Sequence, residues 1–123
     1  MIGYTTIGAK DLELARAFYD AVIAPLGGRR TLTYPRSQYY GSPVRGAMLG
    51  VTLPFDGEDA SVGNGVMVAF SAGSAAVVDQ VHAVALAAGG TCEGPPGQRM
   101  DNFYGAYFRD LDGNKLCVFY TGK

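Results

Sequence analysis

Two kinds of hydrophobic pattern take turns along this chain. Residues Ile2–Gly8, rich in Ile and Thr, read as a strand. Ala15, Phe18, Tyr19, Val22, Ile23 and Leu26 then recur at helical spacing, with Glu13, Arg16 and Asp20 on the other side. Asp11 stands where the N-cap of that helix belongs, and Pro25 with Gly27-Gly28 ends it. Strands are expected over Arg29–Thr33, Gln38–Gly41 and Ala47–Leu53, divided by Pro35, Gly41, Pro43 and Gly46. After the polar stretch Pro54–Asn64 the pattern restarts. Gly65–Ser71 reads as a strand, and Ser74 caps a helix with the stripe Val78, Val81, Ala85 and Ala88. Gly89-Gly90 closes it as Gly27-Gly28 closed the first. Strands follow at Thr91–Glu93, Phe103–Arg109 and Lys115–Tyr120. The segment Gly94–Asn102 reads as a loop and Asp112-Gly113 as a tight turn.

The order is therefore strand, helix, three strands, twice over. The expectation is an α+β fold of two βαβββ modules, about 1–53 and 65–123, joined by a linker at about 54–64. Each sheet needs a cover for its second face, so the halves should fold as one domain. A chain of 123 residues with 48% hydrophobic and 17% charged residues is well clear of disorder and can build a core without staples. Net charge is −1, which argues against a nucleic-acid face. No run of about 18 apolar residues is present to cross a membrane. The start lacks a signal-peptide pattern and the two cysteines, Cys92 and Cys117, form no metal-type pair, so a reducing cytoplasm is the expected location.

Three segments carry a likeness to a known group: YTTIGAKDLELARAFYDAVIAPLGGRR near the start, GNGVMVAF at Gly63–Phe70, and NFYGAYFRDLDGNKLCVFY near the end. In order and spacing the chain resembles the vicinal oxygen chelate superfamily of glyoxalase I, bleomycin-resistance proteins and extradiol dioxygenases. The resemblance implies two modules curled around a central cavity, and often a homodimer. In metal-using members it also implies four ligands, His or Glu, on the first and last strands of each module. The matching positions here are Tyr4, Gly50, Met67 and Cys117. Glycine offers no ligand atom, a thioether is soft, and a phenol ionises near pH 10, so no metal and no other cofactor is expected.

Strand alternation puts Tyr4, Thr6, Met67, Ala69, Met48, Gly50, Thr52, Cys117 and Phe119 on the cavity wall. Thr5, Ile7, Val66, Val68, Phe70, Leu49, Val51, Leu116 and Val118 would then pack on the helices. Of the tyrosine pairs, Tyr40 and Tyr104 are taken to point inward, over Tyr39 and Tyr107. Arg99 in the Gly/Pro-rich segment could clamp a carboxylate or phosphate in two bonds, or be a solvated loop charge. Tyr4 offers a hydroxyl for hydrogen bonding or acid work, or fills space. Cys117 offers pocket lining before nucleophilic chemistry. The one histidine, His82, lies on the second helix and reads as structural. Arg16, Arg29, Arg30 and Arg45 read as surface charges, with Arg16 able to pair with Asp20.

The expected function is metal-free binding of a small organic ligand among Tyr4, Tyr40, Gly50, Met67, Arg99, Tyr104 and Cys117. The alternative is a glyoxalase-like lyase or isomerase, metal-free or with an atypical metal site. No nucleic acid or membrane partner is expected.

Overall fold

Both helices begin and end in the same way, and this local chemistry sets the two modules. In the computed structural model, which describes residues 1–43 and 46–122, β1 is Tyr4–Gly8 and α1 is Leu12–Ile23, followed by a short 3-10 turn, Ala24–Leu26. Then come β2 Arg29–Tyr34, β3 Ser37–Gly41, β4 Met48–Thr52, β5 Val68–Ser71, α2 Ala75–Ala87, β6 Thr91–Met100, β7 Phe103–Arg109 and β8 Lys115–Tyr120. Asp11 caps α1 by accepting from the Leu14 N–H at 3.1 Å, and Ser74 caps α2 by accepting from the Val77 N–H at 3.2 Å. At the other ends, Gly27 N–H donates to Ala24 O and Gly28 N–H to Ile23 O, while Gly89 N–H donates to Leu86 O and Gly90 N–H to Ala85 O. These are two copies of one helix-ending motif, and both need a left-handed residue. Gly27 (φ 80°) and Gly89 (φ 103°) supply it.

Two four-stranded sheets result, ordered β1-β4-β3-β2 and β5-β8-β7-β6, with β1–β4 and β5–β8 parallel and the other pairs antiparallel. No ladder joins the sheets, so the chain forms no closed barrel among its described residues. The helices pack on each other and on their sheets. Ile7, Leu49, Val51, Phe18, Val22 and Tyr19 share one core with Val78, Val81, Ala85, Phe108, Leu116 and Val118. The alternation expected for β4 and β8 holds in that core; in β1 Ile7 is buried as expected, but Thr5 is exposed rather than packed on a helix. The turn before β8 ties the modules together: Tyr19 Oη donates to Asp110 Oδ2 at 2.5 Å, Asn114 Nδ2 donates to Gly8 O at 2.9 Å, and the Lys10 N–H donates to Asp112 Oδ1 at 2.9 Å.

Three expectations need correction. The segment Gly94–Met100 is strand, not loop, paired to β7 through register shifts. Its prolines are tolerated because β6 is an edge strand, where a missing N–H need cost no ladder bond. Val66 does not pack on a helix; its N–H donates to Gly63 O in a turn before β5, and its side chain is exposed. Arg16 is buried rather than a surface charge, donating to Gln38 Oε1 at 3.1 Å and Tyr34 O at 2.7 Å and pairing with Glu13. Asp20 pairs instead with Arg30, at 2.9 Å. Arg45 lies outside the described residues.

Candidate functional site

Strand parity separates the seven candidate residues into groups that do not all meet. Tyr4 and Gly50 lie on the face of the first sheet turned away from α1, and Arg99 and Cys117 on the matching face of the second. Tyr40 and Tyr104 do not join them. Tyr40 pairs with Leu49, is 2% exposed, and has its hydroxyl 3.0 Å from Asp20 Oδ1 and 3.1 Å from Arg16 O, both on α1. Burial, with the Asp20 carboxylate beside it, pushes its ionisation well above the usual tyrosine range. Tyr104 packs against the core and donates to Asp79 Oδ1 on α2 at 2.6 Å. The tyrosines on the faces turned away from the helices are therefore their neighbours. Tyr39 lies opposite Gly50, and Tyr107 lies opposite Cys117. The missed signal was partner parity. Once Leu49 and Leu116 are core, their opposites Tyr40 and Phe108 are core too, and Tyr39 and Tyr107 must point away.

The outer face of the first sheet is a run of edge-to-face rings. Tyr4 meets Tyr39 at 5.4 Å between centroids, and Tyr39 meets Tyr34 at 6.1 Å. The Tyr39 ring lies over Gly50 so closely that a Cβ there would be 2.6 Å from Cε2. Tyr4 itself is 59% exposed.

The outer face of the second sheet combines rings with charge. Phe103 and Phe119 stack at 5.3 Å with 6° between their planes. Beside them, the Arg99 guanidinium lies 5.5 Å and the Lys115 ammonium 5.6 Å from the centroid of Tyr107. Arg99 also donates to Pro95 O, which anchors it on its own strand. Among the described residues, neither cation has a carboxylate within ion-pair reach. Cys117 is buried beneath this cluster. Burial pushes its thiol up, while the Tyr107 hydroxyl and the two cations act the other way.

Met67 is elsewhere. It lines a cavity of about 480 Å³ at the seam between modules, with Ile23, Leu26, Tyr40, Leu49 and Phe70 among its walls. Tyr4, Gly50, Arg99, Tyr104 and Cys117 do not line it.

The four family metal positions do not fit an ion. Their side chains are a phenol, a thioether, a buried thiol and none, and the space a ligand would need at residue 50 is filled by the Tyr39 ring. Among the described residues no three His, Cys, Asp or Glu side chains gather to hold one. No helix is long and apolar enough to cross a membrane.

The family model described as Glyoxalase/Bleomycin resistance protein/Dioxygenase superfamily matches residues 1–118. The crystal structure of a glyoxalase/bleomycin resistance protein from Albidiferax ferrireducens T118 is 40% identical, covers 99% of both chains and superposes with a TM-score of 0.91. A glyoxalase/bleomycin resistance protein/dioxygenase family enzyme from Burkholderia phytofirmans PsJN is 20% identical over 98% of both chains, with a TM-score of 0.76. Lactoylglutathione lyase from Agrobacterium tumefaciens is 25% identical over 98% of this chain and 92% of its own, with a TM-score of 0.69. No curated protein matches the chain.

Proposed function

This chain belongs to the Glyoxalase/Bleomycin resistance protein/Dioxygenase superfamily, and on that footing we propose that it binds a small organic anion with a flat apolar body, without a metal. One observation carries the reading: two cations that have no carboxylate partner among the described residues flank Tyr107 beside the stacked Phe103–Phe119 pair. A guanidinium offers a carboxylate two parallel bonds, and an ammonium adds a point charge. The aromatic rings supply area for a flat body. Cys117, beneath them, lines the site as a buried thiol, 1% exposed.

The aromatic face of the first sheet keeps Tyr4 and Tyr34 exposed in a single chain. We propose that a second copy covers it, which makes the protein a homodimer. Two free cysteines, one of them exposed, fit the reducing cytoplasm as its location. The likeness to a lactoylglutathione lyase favours a second reading, a lyase or isomerase in which Tyr4 acts as acid. That reading predicts a turnover that Tyr4→Phe abolishes while binding persists.

The test is a thermal-shift panel of aromatic carboxylates against their neutral amides. Carboxylates should raise the melting temperature by mass action and amides should not. Arg99→Ala and Lys115→Ala should each weaken binding about tenfold, the weight of one charge-assisted contact. Equal shifts from the amides, or full binding in both variants, would sink the anion reading. Incubation with nickel, zinc, manganese and ferrous iron should leave less than a tenth of an ion per chain after desalting, on the order expected for so poor a donor set. Stoichiometric metal would overturn the metal-free reading.

A further inference from the structure

On the opposite side of the second sheet, away from the proposed anion face, the structure brings together two residues from consecutive elements. His82 is on α2 and Cys92 on β6, and His82 Nε2 lies 3.3 Å from Cys92 Sγ. Cys92 pairs with Phe108 in the ladder, so it shares the core-facing parity of that strand pair. Yet β6 is an edge strand, and Cys92 is an exposed residue on it. His82 is 7% exposed, and its ring is held edge-on to Phe108 at 6.5 Å between centroids. The imidazole is thus held in place and largely removed from water, and among the described residues its side-chain hydrogen-bond contact is the thiol. Burial pulls His82 below the usual histidine range, with the Asp79 carboxylate acting in the other direction. Asp79 is itself engaged by the Tyr104 hydroxyl. In the neutral tautomer that carries its proton on Nδ1, the ring presents Nε2 as an acceptor to the thiol 3.3 Å away.

We propose that His82 and Cys92 form a thiol–imidazole pair that makes Cys92 a covalent modification site for small-molecule disulfides. The Cys92 proton passes to His82 Nε2, and the thiolate attacks one sulfur of the disulfide. A new S–S bond to Cys92 forms as the old one breaks, and the departing thiolate leaves as a thiol with the proton that His82 held. No oxidant other than the disulfide itself is needed. Cys117 is the internal control, since it is 1% exposed and has no imidazole beside it.

The test uses the folded full chain and 4,4′-dithiodipyridine as the disulfide, read by absorbance and by peptide mass mapping. One adduct should form first, at Cys92, and faster than the same cysteine reacts in the urea-unfolded chain. His82→Gln should slow it about tenfold at neutral pH, a modest effect for general-base assistance, with the far-ultraviolet spectrum unchanged. Cys92→Ser should abolish the fast phase. Should His82→Gln fail to fold, the folded-against-unfolded rate for Cys92 decides alone. The proposal is overturned if Cys92 reacts no faster folded than unfolded, if a folded His82→Gln keeps the wild-type rate, or if Cys117 is labelled first.

Discussion

Asp110 shows how much one buried side chain can hold. Its carboxylate is 5% exposed. Oδ1 accepts from the N–H groups of Asp112 and Asn114, and Oδ2 from the Tyr19 hydroxyl and Asn114 Nδ2. Burial and this carboxylate push the Tyr19 phenol far up, so it stays a donor. Tyr19→Phe removes one donor and leaves Asp110 three others, which should cost about 1–2 kcal/mol. Asp110→Ala strands the hydroxyl and two backbone N–H groups inside, and should cost about 3–5 kcal/mol in urea unfolding. Equal losses in the two variants would show that the carboxylate is not the hub. The sequence marked Asp112-Gly113 as a turn but could not show that Asp110 reaches α1, because Tyr19 is 91 residues away. The same holds for Arg16. Its helical neighbours suggested a surface charge, and only the fold put Gln38 and the Tyr34 carbonyl within its reach.

Elements were far easier to read than contacts. Caps, apolar stripes and glycine pairs are local, and the structure keeps them at Asp11, Ser74, Gly27-Gly28 and Gly89-Gly90. The two glycines of a pair differ in role. The first supplies the positive φ, whereas at the second a side chain has no room: a Cβ on Gly90 would lie 2.8 Å from Arg109 O and 2.9 Å from Ala85 O. Gly90→Ala should therefore destabilise by about 1–3 kcal/mol through overpacking against backbone. Gly73→Ala, where nothing lies within 4 Å of the added carbon, should change thermal stability little. Comparable melting temperatures for the two variants would refute the argument. β6 was misread because Pro and Gly density signals a loop on average, and sequence cannot say whether a strand sits at an edge that tolerates both.

At the scale of the molecule, the exposed rings of Tyr4 and Tyr34 on the first sheet leave the proposed dimer an aromatic face to cover. Sedimentation of the wild type should give twice the chain mass. Tyr4→Glu should shift it toward monomer without loss of secondary structure, since Tyr4 is outside the core. A monomeric wild type at tens of micromolar, or a Tyr4→Glu dimer of unchanged affinity, would count against the dimer. The element order, the doubled module, the family likeness and the unsuitability of Tyr4, Gly50, Met67 and Cys117 as a metal cage are legible in the chain alone. Those follow from residue type and local spacing, which act within a few residues. Which tyrosine of each pair faces outward, which charge meets which, and which side chain His82 touches were decided only by tertiary structure. A shift of one residue in strand register reverses every side chain, and that register is set by the partner strand and the helix beneath it, distant in the chain.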